Sequence, residues 1–176
     1  MDEDHPRNRR IDRISEPSYL EGLSDRSLED VRARRDECMA EREYLSLLRR
    51  LVQGRAEILR AELASRGSDD DRPLVDRLSE ILASDQPATS RGEAMRVTLP
   101  EEEMLLARRR VERLVADAGI SDPSALGDEE LRRAVELLAT EEHEVSARRA
   151  EVLRVLDTLQ DELKRRYKDD PSLALS

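Results

Sequence analysis

Ser46, Arg49, Gln53 and Glu57 follow one another at intervals of three or four residues. At about 100° per residue, that spacing lines them up on one face of a helix. A hydroxyl, a guanidinium, an amide and a carboxylate in a row suit an anionic ligand rich in hydrogen-bonding groups. Arginine forks grip phosphates bidentately and match the O6 and N7 acceptors of guanine. A carboxylate can accept from the ring N–H and exocyclic amine of the same base. Arg42, one turn before Ser46, extends the line. Gly54 stands beside Gln53, where glycine costs a helix roughly 1 kcal/mol relative to alanine. Room for a flat base would explain it, and so would close approach of a second helix.

The same line recurs 100 residues later as Glu142, Ser146, Arg149 and Asp157, with Leu153 at the position of Gln53. Comparing Glu41–Arg66 with Glu141–Arg166 at that offset gives eight identities: Glu41/Glu141, Ser46/Ser146, Arg49/Arg149, Val52/Val152, Leu59/Leu159, Glu62/Glu162, Leu63/Leu163 and Arg66/Arg166. Heptad phase and composition make the Leu, Glu and outer Arg matches cheap. The Ser and inner Arg matches are not, because a coiled-coil seam has no use for them. The reading is a duplicated helix carrying a duplicated polar line.

The elements that must position these residues are long helices. Val31, Cys38, Leu45, Val52 and Leu59 recur every seven residues, with Leu28, Ala56 and Leu63 at the companion position and Arg35, Arg42 and Arg49 in its other places. Val145, Val152 and Leu159 repeat the spacing. With Leu45 at zero, the polar line falls between roughly 40° and 120°, beside the apolar seam. Ser24 or Ser27 can cap a helix running to Arg66, and Gly67 stops it. That helix would be roughly 60 Å long. Thr98 and Glu101 form a capping-box signature for a third helix, and Asp128 is placed to cap the last. The expected organisation is an arm over residues 1–23, loose apart from a helical turn; a long helix over 24–66 with the first ligand line; a linker with a short helix over 67–97; an accessory helix over 98–118; a turn and long helix with the second line over 119–169; and a tail over 170–176. The fold class is all-α: an antiparallel coiled-coil hairpin of two long helices with shorter accessory helices.

Composition agrees. Charged residues make up 41% of the chain while Phe and Trp are absent, which suits narrow apolar stripes between extended helices rather than a thick core. A net charge of −10 argues against direct DNA or RNA binding. Lys164 and Lys168 are the two lysines among the basic residues, the rest being arginine; a GC-rich genome explains most of that bias. Cys38 is the single cysteine, so a disulfide framework is excluded and a reducing, cytoplasmic location is expected. No apolar run reaches the length of a membrane span. There is no P-loop, HExxH, paired CxxC or nucleophile elbow, so neither an enzyme nor a metal site is expected.

The two lines resemble the signature of the RsiG anti-sigma factors, a repeated E-x3-S-x2-R-x3-Q-x3-D line, one copy on each helix of an antiparallel coiled coil. The second copy here reads Glu142, Ser146, Arg149, Leu153, Asp157; the first reads Arg42, Ser46, Arg49, Gln53, Glu57. The departures are Arg42, Leu153 and the longer acid at Glu57. Family members hold two intercalated cyclic di-GMP molecules against the coiled coil, and the loaded protein captures a WhiG-like sigma factor, keeping it from RNA polymerase. The resemblance therefore implies that Arg49 and Arg149 contact phosphate or guanine and that Ser46 and Ser146 contact phosphate or sugar. Glu57 and Asp157 would meet the guanine edge, and Glu142 would do likewise or orient an arginine. It also implies that Arg42, near Asp157, adds a phosphate contact or competes for that acid. The alternative is a coiled-coil adaptor or scaffold whose polar lines are solvated surface and whose partner binds without nucleotide.

Overall fold

The computed structural model describes residues 9–67 and 99–175. The linker helix expected within 67–97, the Thr98 cap and residues 1–8 lie outside the described residues. Every described element is helical. Helix α1 is Arg9–Ser15, α2 is Leu28–Arg66, α3 is Glu101–Asp117 and α4 is Asp128–Asp169. Single 3-10 turns at Pro17–Tyr19, Leu23–Asp25, Pro123–Ala125 and Pro171–Leu175 punctuate them.

The chain divides into two compact units, Met1–Ser46 with Ser146–Ser176 and Leu47–Val145. The two long helices each contribute one half to either unit. Their heptad seams are buried throughout: Val31, Cys38, Leu45, Val52 and Leu59 on α2, and Leu131, Leu138, Val145, Val152 and Leu159 on α4. Ala56, Leu156 and Leu163 are buried beside them, while Leu28 and Leu63 are half-buried.

In the first unit the segment before α2 is packed, where a loose arm is expected from sequence. Ile11 and Ile14 of α1 and Tyr19 are buried. Gly22, at φ 61°, makes the left-handed turn that glycine favours and leads into α2. Ser27 caps α2, its hydroxyl accepting from the Asp30 amide at 3.1 Å. Arg10 donates to Glu41, a fully buried carboxylate, at 2.5 Å. Charge-assisted contact is what makes such burial tolerable. Arg166 reaches from α4 to the turn before α2, donating to the carbonyls of Leu23 and Arg26 at 2.8 Å and of Ser24 at 3.3 Å.

In the second unit α3 buries Ala107, Val111 and Val115. Gly119, at φ 68°, makes the turn, and the Asp122 side chain accepts from the Ser124 amide at 3.1 Å. Asp128, the expected cap, is already the first residue of α4. The cap position falls to Gly127, whose amide donates to Glu130 at 2.8 Å, so the side chain reaching back is three residues downstream. Arg66 donates to the carbonyls of Leu126 at 2.6 Å, Pro123 at 3.1 Å and Ser124 at 3.3 Å.

These contacts show that the repeat is wider than the polar lines. "RRIDRI" at Arg9–Ile14 corresponds to "RRVERL" at Arg109–Leu114, and "GLSD" from Gly22 corresponds to "GISD" from Gly119. Arg10–Glu41 in the first unit has its counterpart in Arg110–Glu141 at 2.8 Å in the second. The three carbonyls held by Arg166 are those held by Arg66, displaced by 100 positions. A helix, a glycine turn and a long helix thus recur in both units, the glycine turn out of step with the 100-residue offset of the rest.

Candidate functional site

Of the predicted residues in the first unit, Arg149 and Ser46 meet. Arg149 Nε donates to Ser46 Oγ at 3.0 Å, and Ser46 in turn donates to the Arg42 carbonyl one turn earlier at 2.7 Å. The back-bond fixes the hydroxyl so that its lone pairs face the guanidinium. Arg42 places Nε and Nη2 at 3.0 and 2.7 Å from Glu43 Oε1. Ser146 is half-buried on α4. Asp157 is exposed, two turns beyond Arg149, and adds to the field that raises the Lys164 ammonium, whose main cause is the hydrogen bond to Asp161.

The second unit gathers Arg49, Gln53 and Glu142. Gln53 Nε2 donates to Glu142 Oε1 at 3.3 Å. The same oxygen lies 3.0 Å from Arg49 Nε, an ion pair in which the buried Nε–H lacks hydrogen-bond alignment. Arg49 is thus held electrostatically without its fork being committed. Glu57 is exposed and pairs with Arg60 at 2.6 Å, away from this group. A methyl placed on Gly54 would meet nothing within 4 Å. Close helix approach therefore does not account for this glycine; it borders open space beside Gln53.

In both units a residue of the α2 line touches a residue of the α4 line. A half-exposed guanidinium beside a hydroxyl, and another beside a carboxylate and an amide, are donors and acceptors for phosphate and for a purine edge. A groove of about 450 Å³ in the first unit lies elsewhere, where Arg13, Arg26 and Arg34 meet Glu16, Asp30 and Glu37. Its charges are mutually matched: Arg26 and Arg34 both donate to Asp30 at 3.1 Å, and Arg13 pairs with Glu37. Arg34 also lies over the Tyr19 ring, 4.7 Å from its centroid. Beside it burial pushes the Cys38 thiol up to about 11, leaving a poor nucleophile. Among the described residues, no group of three or more His, Cys, Asp or Glu could hold a metal ion, and no helix is long and apolar enough to cross a membrane.

Sequence reasoning matched Glu41 with Glu141 but missed their arginines, Arg10 and Arg110, which lie outside the seam and the polar line. A comparison of the whole chain with itself, carried beyond Glu41, brings both out.

Residues 17–82 match the RsiG-like family. The match spans the turn before α2 and all of α2, and is consistent with an RsiG-family protein. It suggests an anti-sigma factor, a regulatory role with a sigma factor as partner. No curated protein matches the chain.

Proposed function

We propose that this protein is a cyclic di-GMP-dependent anti-sigma factor that sequesters a WhiG-like sigma factor. The two long helices form an antiparallel coiled-coil hairpin in this reading, and the polar lines beside the seam hold the nucleotide, two molecules in all. Arg49, Arg149, Ser46 and Ser146 serve the phosphates; Gln53, Glu57, Glu142 and Asp157 serve the guanine edges; Arg42 adds a cation. The observation that carries the proposal is the meeting of the two lines within each unit, Arg149 on Ser46 at 3.0 Å and Gln53 on Glu142 at 3.3 Å. The antiparallel pairing is supported by register: in the first unit Arg32 of α2 donates to Tyr167 of α4 at 3.0 Å, and farther along α2 Ser46 meets the earlier Arg149.

The electrostatics fit. Two cyclic dinucleotides bring four negative charges to a chain already at −10, so binding requires local arginines rather than net charge. Nucleotide contacted by both proteins raises their mutual affinity, and by linkage the sigma factor raises nucleotide affinity by the same factor. The test is size-exclusion chromatography of the full chain with a WhiG-like sigma factor, with and without cyclic di-GMP. Co-elution only with nucleotide is expected. A complex that forms equally well without it would establish the adaptor alternative instead.

A further inference from the structure

The duplication lets the two clusters be compared position by position, and they are not copies. Gln53 and Glu142, hydrogen-bonded to each other in the second unit, correspond at the 100-residue offset to Leu153 and Arg42 in the first. The two departures from the repeat therefore fall on one pair of positions: where the second unit has a carboxylate–amide pair, the first has an arginine and a leucine. At the contacts themselves the first unit sets Arg149 against the neutral Ser46 hydroxyl and the second sets Arg49 against the Glu142 carboxylate, while Arg42 pairs with Glu43 and Glu57 with Arg60.

We infer that the two clusters are unequal subsites, and that the phosphodiester of the nucleotide is taken first by Arg149 and Ser46. The inference rests on the nucleotide reading above. Arg149 meets a neutral hydroxyl, so an incoming phosphate gains a guanidinium without displacing a carboxylate. Arg49 sits against Glu142, and a phosphate arriving there faces that anion at close range. The second cluster fills later and reads the base, with Glu142 and Gln53 as acceptor and amide for a guanine edge. A difference of one unit charge about 3 Å from the phosphate, even in near-aqueous dielectric, separates the affinities by about tenfold, or about 1.4 kcal/mol.

Side-chain NMR of the full chain with 15N-labelled arginine, titrated with cyclic di-GMP to millimolar concentration, tests this; Arg149→Lys and Arg49→Lys assign the two Nε–H signals. The Arg149 signal is expected to move with a midpoint at least tenfold lower than that of Arg49. Glu142→Gln, half-exposed and checked for helicity by circular dichroism, is expected to draw the Arg49 midpoint toward that of Arg149. Coincident midpoints in the native chain, Arg49 moving first, or no response to Glu142→Gln would overturn the inequality while leaving nucleotide binding standing. If neither signal moves at millimolar nucleotide, the nucleotide reading itself falls, and the inequality with it.

Discussion

Replacing Gly54 with alanine should separate what this residue does for the helix from what it does for the site. In the middle of α2 a glycine costs roughly 0.8–1 kcal/mol relative to alanine, because the unfolded chain has more freedom to lose. An added methyl there meets no neighbouring atom within 4 Å, so no clash offsets the gain. The variant should be more stable by about 0.8 kcal/mol, which for a chain of this size raises the melting temperature by about 2–3 °C. The assay is thermal and urea denaturation followed by helical circular dichroism. The same methyl occupies the open space beside Gln53, so cyclic di-GMP affinity should fall several-fold in parallel titrations. A variant less stable than the native chain would refute the open-space reading. Greater stability with undiminished nucleotide affinity would show that no base approaches the helix at this point.

Three further outcomes follow from the packing. Arg166→Ala removes a half-buried guanidinium from the carbonyls of Leu23, Ser24 and Arg26, and should cost about 2 kcal/mol in chemical denaturation. Arg10→Ala takes a charged donor from the fully buried Glu41 and should cost about 2–3 kcal/mol, with Arg10→Lys recovering part of it. Hydrogen bonds from Arg165, then from Arg166, hold the Glu162 carboxyl down at about 2. A depressed folded pKa stabilises above the unfolded value of about 4.5 and is lost as pH falls toward 2. Acid titration of native stability should show that loss, on the order of 1 kcal/mol, in the native chain and not in Glu162→Gln.

The long helices were legible because a seven-residue period carried through five successive positions survives every local exception. Val31 through Leu59 needed no tertiary information to be recognised as a buried edge. The packing of α1 was not legible in the same way. Seven residues give too few turns for periodicity, and Ile11 and Ile14 become core only against a partner the local pattern does not name. Glu41 reads as surface for the same reason, although it is buried against Arg10. The α4 cap shifted by one residue because Glu130 can supply the Gly127 amide from inside the helix, which frees Asp128 for Arg66 at 3.1 Å. Of the polar lines, spacing alone located Ser46, Arg49, Gln53, Glu142 and Arg149 on facing stretches. Spacing could not tell that Glu57 turns to Arg60, since any exposed acid with an arginine three positions on has that option. The link between the Arg42 and Leu153 departures emerged only when Gln53 was seen bonded to Glu142.

Equilibrium dialysis of labelled cyclic di-GMP against the full chain, with unlabelled cyclic di-GMP and cyclic di-AMP as competitors, addresses the nucleotide surface most directly. Saturable retention is predicted, displaced by cyclic di-GMP, resistant to a tenfold excess of cyclic di-AMP, and abolished by joint Arg49→Ala and Arg149→Ala substitution. Retention that the double variant preserves, or that both competitors displace equally, would contradict it.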